Sequence, residues 1–259
     1  MKKYILDLRV VSNERPHSHY SLLRLTLPDA PLPPMLPGQF AQLQVDGAKN
    51  TFLRRPISIH YVDVEANEVW FLIQTVGEGT KTLAALQPGD TLNVVMPLGR
   101  GFSMPKQADE RFLLIGGGVG TAPLLDLGRC MREAGFQPSF LLGARSAGDL
   151  FQIPLFEALG TVYCTTEDGS AGEKGYVTQH SVLQAEAFTH IRCCGPKPMM
   201  VAVARYARER GIDCEVSLEN LMACGVGACL CCVEDTQEGH VCVCTEGPVF
   251  NINELKWQI

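Results

Sequence analysis

Phe112-Leu113-Leu114-Ile115-Gly116-Gly117-Gly118-Val119-Gly120-Thr121-Ala122-Pro123 decides how the middle of this chain folds. An apolar run passes through a glycine-rich turn into a segment of helical period, which reads as strand, turn and helix. Glycines at such a turn let backbone N–H groups and a helix N-terminus approach a nucleotide's phosphates without a side chain in the way. Gly116, Gly117, Gly118, Gly120 and Thr121 are therefore candidate nucleotide contacts, although the spacing is not G-x-G-x-x-G and a tight structural turn is the other reading. Working outward, further apolar runs at 111–115, 139–142, 161–165, 190–194 and 213–218 are mostly separated by helical segments. This alternation predicts a doubly wound parallel sheet covered on both faces.

Two more places on that sheet attract notice. Cys194-Gly195-Pro196-Lys197-Pro198 follows the fourth run, where Gly195 leaves room for a ring at the strand's C-terminal edge and Pro198 suits a first helical turn. Glu167 and Asp168 follow the third run, where a carboxylate can accept ribose hydroxyls and repel a 2′-phosphate, a preference for NAD over NADP; Arg145, at the end of the second run, offers the opposite preference.

Upstream, six short β-rich runs at 3–11, 20–27, 39–45, 53–60, 68–76 and 91–96 predict a six-stranded antiparallel barrel, with one short helix over 80–86. Arg54-Arg55-Pro56-Ile57-Ser58 lies on one run, and Gly77-Glu78-Gly79-Thr80 opens the helix. An arginine fork together with a Gly-Thr helix N-terminus can hold a pyrophosphate.

Downstream, the cysteines read Cys224-x4-Cys229-x2-Cys232-x11-Cys244, with Gly225 and Gly227 inside the first loop. C-x4-C-x2-C is the plant-type [2Fe-2S] spacing, in which a glycine-rich loop offers N–H groups to sulfur. A zinc site is the alternative, since C-x2-C pairs also suit zinc. Cys231 would shorten the loop spacing. Cys242 and Cys244 are two apart in a predicted strand over 240–244, so period-two alternation cannot choose between them. The segment is too short for a sizeable apolar core, and a metal centre is the economical way to fix it.

Composition narrows the rest. The chain has 259 residues, 46% apolar and 19% charged, and three units are expected, 1–101, 102–218 and 219–259. A net charge of −6 without a Lys/Arg block argues against nucleic acid. No signal-peptide pattern and no apolar run of about 18 residues argue against a membrane. Eleven cysteines without a secretion signal point to reduced thiols available to metal, and so to the cytoplasm.

Taken in order, the barrel arginine and serine, the Gly-Thr helix, the glycine-rich turn, the Cys-Gly-Pro segment and the cysteine loop resemble the ferredoxin reductase superfamily. Within it, Leu221-Met222-Ala223-Cys224-Gly225-Val226-Gly227-Ala228-Cys229 and Cys244-Thr245-Glu246-Gly247-Pro248-Val249-Phe250 are similar to the electron-transfer subunits of type B dihydroorotate dehydrogenases, as are Arg55-Pro56-Ile57-Ser58 and Thr166-Glu167-Asp168-Gly169-Ser170. The resemblance implies FAD in the barrel, with Arg55 and Thr80 at its phosphates beside Gly79, Pro56, Ile57 and Ser58 near the isoalloxazine, and backbone of Leu72, Ile73 and Gln74 alongside. Ile57 stands where the superfamily commonly has an aromatic residue, so contact there is apolar only.

The resemblance also implies NAD at the glycine-rich turn and at Cys194, Gly195 and Pro196, and a [2Fe-2S] cluster on Cys224, Cys229, Cys232 and Cys244. The last ligand is chosen because the resemblance puts it three residues before Gly247; it comes much sooner than the fourth cysteine of plant ferredoxins. The implied partner is an FMN-containing catalytic subunit that oxidises dihydroorotate in pyrimidine biosynthesis, two of each chain forming a heterotetramer. Electrons from it reach NAD+, and no acid–base residue is required on this chain. The competing readings are the reductase subunit of a hydrogenase or sulfide dehydrogenase and a zinc-stabilised flavin-binding module without redox turnover.

Overall fold

The computed structural model describes residues 2–258, so the outermost expected boundary positions, 1 and 259, lie outside the described residues. The first sheet contains β1 (Tyr4–His17), β2 (Tyr20–Thr26), β3 (Phe40–Leu43), β4 (Arg55–Ser58), β5 (Tyr61–Asp63) and β6 (Glu68–Gln74), then, after the helix α1 (Glu78–Leu83), β7 (Thr91–Leu98). It is seven-stranded, in the order β4-β3-β7-β1-β2-β6-β5, and every pairing is antiparallel. The expected count of six strands is thus corrected. Ile59 N–H bonds to Gln39 O (3.0 Å) and His60 N–H to Trp70 O (2.9 Å), so the chain leaves β3 for β6 within two residues and begins a separate strand.

That switch draws the two sides of the sheet toward each other and makes a half-barrel. Leu8, Leu25, Leu43, Phe71, Ile73 and Met96 fill its interior. The helix starts two residues before the expected position because Gly77 caps it, with the Thr80 hydroxyl bonding to both Gly77 N–H and Gly77 O at 3.1 Å.

The second sheet grows from β8 (Phe112–Gly117), α2 (Ala122–Glu133), β9 (Ser139–Ala144), α3 (Ile153–Glu157), β10 (Thr161–Thr166), β11 (Glu173–Lys174), α4 (Val182–Ala185), β12 (His190–Cys194), α5 (Lys197–Arg210) and β13 (Asp213–Ser217). The C-terminal segment adds a hairpin of β14 (Val233–Thr236) and β15 (Gly239–Cys242), the short helix α6 (Val243–Glu246) and β16 (Val249–Asn251). The strand order is β11-β10-β9-β8-β12-β13-β16, parallel throughout except for β16, which runs antiparallel to β13. Strand order reverses between β8 and β12, and ligands of such sheets bind in the crevice at that point.

The C-terminal segment does not depend on a metal alone, as its length suggested. Met222, Cys232, Val243, Phe250, Ile252 and Leu255 share one core with Leu113, Ile115 and Val216. Leu218 N–H bonds to Pro248 O (2.9 Å) and Ile252 N–H to Cys214 O (3.0 Å), stitching the returning chain to the sheet. The predicted strand over 240–244 ends at Cys242, and Cys244 lies in α6. The two cysteines therefore do not share a strand face.

Polar and aromatic contacts fix the half-barrel against the parallel sheet. His60 Nδ1 pairs with Ala122 O at 2.8 Å, and Val62 N–H donates to Asp126 Oδ1 at 3.2 Å. Arg129 in turn holds Asp126, whose carboxyl burial pushes above its usual pKa. Tyr20 packs on Phe151 with ring centroids 4.5 Å apart. Among the described residues, no helix is long and apolar enough to cross a membrane.

Candidate functional site

A cleft of about 240 Å³ opens where the half-barrel, the glycine-rich turn and the start of the C-terminal segment meet. The barrel contributes Arg55, Pro56, Ile57, Ser58, Leu72, Gln74 and Thr80; Val119 and Ala122 come from the turn, and Glu219 to Met222 close the far side. Ile73, between two residues of this wall, points the other way into the barrel core, as alternation along β6 requires. Gly79 lies against the Arg55 stem: a Cβ there would be 3.2 Å from Arg55 Cδ and 2.9 Å from Thr51 Cγ2. The Arg55 stem thus runs against the start of α1, and Arg55 and Thr80 both line the cleft. Anionic groups are favoured at such a pair of donors.

The parallel sheet's turns meet at the switch point. A Cβ on Gly120 would collide with the carbonyl of Cys194 and come within 2.5 Å of Gly195 Cα, while one on Gly117 would sit 2.5 Å from Met199 Sδ. Gly116 faces Thr121 in the same way, and Thr121 Oγ1 donates to Gly118 O (3.0 Å) to close the turn. The structure thereby brings Gly116, Gly117 and Gly120 against Cys194, Gly195 and Pro196, with Gly118 and Thr121 in the same turn and Gly118 facing Tyr20 instead. Glu167 and Asp168 lie on the same C-terminal edge but at β10, two strands away from β8. Asp168 Oδ1 accepts from Ser170 N–H and Oγ, which holds its carboxyl below the usual pKa and ties it into its own turn.

Glu219 has no place in the sequence reading. Burial raises its pKa, and it accepts a bond from the Cys194 thiol (3.9 Å) while lining the cleft. Its position just past the last parallel run, at the edge where ligands bind, is the one signal that could have marked it.

The cysteine loop supplies donors to sulfur. Val226 N–H points at Cys224 Sγ (3.4 Å), Gly227 N–H at Cys244 Sγ (3.2 Å) and Cys244 N–H at Cys232 Sγ (3.4 Å). Gly227 has φ +85°, and a Cβ on it would meet Thr245 Cγ2 at 2.9 Å, so the loop needs glycine there. The Val226 donor, helped by the Cys229 and Ala228 amides, pulls the Cys224 thiol down to about 6, whereas burial, with Cys232 beside it, pushes Cys244 up to about 12. Cys231 is exposed and its thiol donates to Leu221 O at 3.7 Å. Burial and its neighbour Cys232 push the Cys242 thiol up, so nearness alone does not set it apart. Among the described residues, no three His, Cys, Asp or Glu side chains converge tightly enough for a single ion. A glycine loop directing amides at several sulfurs fits thiolates that carry an iron-sulfur centre.

The same architecture is found in solved structures. An NADH-dependent reduced ferredoxin-NADP oxidoreductase, solved in a study of flavin-based electron bifurcation, superposes with a TM-score of 0.84 at 28% identity over 99% of this chain and 92% of that one. The ferredoxin reductase of carbazole 1,9a-dioxygenase shares the fold, with a TM-score of 0.68 at 22% identity over 82% of this chain and 67% of that one. Half-barrel, switch-point turn and cysteine loop define a flavin- and nicotinamide-dependent oxidoreductase of the ferredoxin reductase type, with an iron-sulfur segment appended.

Residues 114–205 match the model of the oxidoreductase NAD-binding domain, and residues 219–256 that of the iron-sulfur cluster binding domain of dihydroorotate dehydrogenase B. The electron transfer subunits of dihydroorotate dehydrogenase B (NAD(+)) from Shouchella clausii and Fusobacterium nucleatum are 41% and 38% identical to it, each over 85% of this chain and 86% of the relative. The chain belongs to the family of dihydroorotate dehydrogenase B electron transfer subunits.

Proposed function

We propose that this chain carries electrons from a dihydroorotate-oxidising partner subunit, in pyrimidine biosynthesis, through a [2Fe-2S] centre and FAD to NAD+. One observation carries the reading: Met222 lines the cleft beside Arg55 and Ser58, and Cys224 lies only two residues further on. Flavin site and cysteine loop are thus joined by one short stretch of backbone. When bound, FAD supplies exchange between hydride and single electrons, and the cluster carries single electrons.

The residues of this chain bind and orient. Arg55, with Thr80 and Gly79, holds the phosphates of FAD; Pro56, Ile57 and Ser58 flank its ring, and Leu72, Ile73 and Gln74 offer backbone beside it. Gly116, Gly117, Gly118, Gly120 and Thr121 present N–H groups to NAD, and Cys194, Gly195 and Pro196 leave room for the nicotinamide. Glu167 or Asp168 selects NAD by its ribose. Cys224, Cys229, Cys232 and Cys244 hold the cluster. Division at 101/102 and 218/219 belongs to the same reading; the two sheets support the first and the cysteine loop the second, although β16 beyond it joins the second sheet.

The partner carries FMN and the acid–base chemistry on dihydroorotate, in a heterotetramer of two chains of each kind. The reading places the complex in the cytoplasm, where thiols stay reduced. Exposed apolar side chains around the loop, Leu221, Val226, Leu230 and Val233, support a docking face there. The test is to purify the chain alone and with its partner. Alone it is expected to pass NADH electrons to an artificial acceptor and to leave dihydroorotate untouched; with its partner it reduces NAD+ by dihydroorotate. Oxidation of dihydroorotate by the isolated chain would refute the division of labour.

A further inference from the structure

Gln42 occupies the middle of β3 and is fully buried, yet neither Nε2 nor Oε1 of its carboxamide has a hydrogen-bond partner. Its neighbours on the strand explain where it points. Ala41 and Leu43 enter the half-barrel core, whereas Phe40 packs outward into the core shared with the C-terminal segment and also lines the cleft. Gln42 shares that outward side, and what it meets there is the cysteine loop: a Cβ on Gly225 would be 2.6 Å from Gln42 Cγ and 3.0 Å from Nε2. Gly225, with φ +71°, directly follows Cys224. The backbone of Gln42 is held by pairing with Pro56 and Val95 and by Arg54 Nη1 donating to its carbonyl (3.4 Å), so the side chain's position is set by the sheet.

A buried carboxamide with all its bonds unmade is costly, and its persistence calls for an acceptor that belongs at this place. The acceptors that belong beside Gly225 are sulfurs. We propose that Gln42 reaches the iron-sulfur centre from the half-barrel, its Nε2 N–H donating to a sulfur on the barrel side, and thereby sets the centre's reduction potential. A donor to sulfur withdraws negative charge and favours the reduced state. Gln42 sits on the strand whose Phe40 borders the flavin cleft, so this tuning acts on the side facing the flavin. The inference rests on the cluster reading above.

The test uses the purified protein with its partner and cofactors, measuring iron, acid-labile sulfide and the midpoint potential by redox titration followed by EPR. Gln42→Met, similar in size and without a donor, is expected to disfavour reduction about tenfold, equivalent to about 59 mV for one electron. Gln42→Glu, which adds a negative charge, should lower the potential further, and both should shift the EPR spectrum. Full iron and sulfide with unchanged potential and spectrum in both variants would overturn the inference. If both variants lose iron, pulsed EPR of the unaltered protein labelled with 15N in glutamine side chains decides: a nitrogen coupling to the reduced centre supports the contact, and its absence refutes it. Unaltered protein without iron or sulfide would overturn the cluster reading itself, and this inference with it.

Discussion

The turn at 116–121 and the loop at 224–229 are both glycine-rich, and Gly120 of the one and Gly225 and Gly227 of the other differ in the physical demand they meet. At the turn, Gly120 exists for want of space: backbone of the adjacent strand end fills the place of its side chain. At the loop, Gly225 and Gly227 are needed for conformation as well as for space, with φ +71° and +85° that turn successive N–H groups toward sulfur and with Gln42 and Thr245 packed against them. The first is a site made by packing, the second a site made by donors. Packing tolerates no added atom, whereas a donor site fails when its charged ligands are removed.

The largest expected effect is at the donor site. Serine in place of Cys224, Cys229, Cys232 or Cys244 should abolish iron binding, while Cys231→Ser and Cys242→Ser retain it, read by iron content and the visible spectrum. Loss of the cluster in Cys242→Ser and its retention in Cys244→Ser would reverse the assignment.

At the packed site, Gly120→Ala should destabilise the protein by about 3 kcal/mol, because the new methyl group overlaps the Cys194 carbonyl and neither backbone can yield. Denaturant unfolding measures it, and a cost near zero would mean that the turn has slack. Arg55→Ala should weaken FAD retention by roughly 1.5–3 kcal/mol, the worth of a charge-assisted hydrogen bond, which is about 10- to 100-fold in affinity. Full flavin content after dilution of the variant would contradict the role given to Arg55.

The smallest effect concerns the seam between the two sheets. Burial lowers the pKa of His60 to about 4, against the raising influence of its bond to Ala122 O. Between pH 6.5 and 4 the unfolded chain takes up a proton that the folded chain refuses. Stability is therefore full above pH 6.5, falls with pH through this window and has lost this contribution below about 4. The loss at pH 5 is about 2 kcal/mol. His60→Phe should flatten that slope in unfolding curves at pH 7 and 5; an unchanged slope would assign it to other groups.

Much of this was legible along the chain. Hydrophobic runs and glycine punctuation mark most strands of both sheets: in the parallel sheet burial on two faces demands continuous apolar runs such as β8, while in the antiparallel sheet β1 alternates. The plant-type cysteine spacing marks the loop, because a cluster can be wrapped only by a short chain of suitable length. What the one-dimensional pattern could not carry is whatever depends on distant segments meeting. Strand β5 arises from a change of partner at Ile59 and His60, and β16 from the return of the chain to β13. Cys242 and Cys244 look equivalent in a two-residue period until the chain turns into α6 between them. Glu219 and Gln42 carry no motif at all; only the fold brings one into the cleft and sets the other, unpartnered, beneath Gly225. Local chemistry and periodicity are properties of neighbours in sequence, whereas enclosure, and the unmet hydrogen bond that enclosure exposes, are properties of neighbours in space.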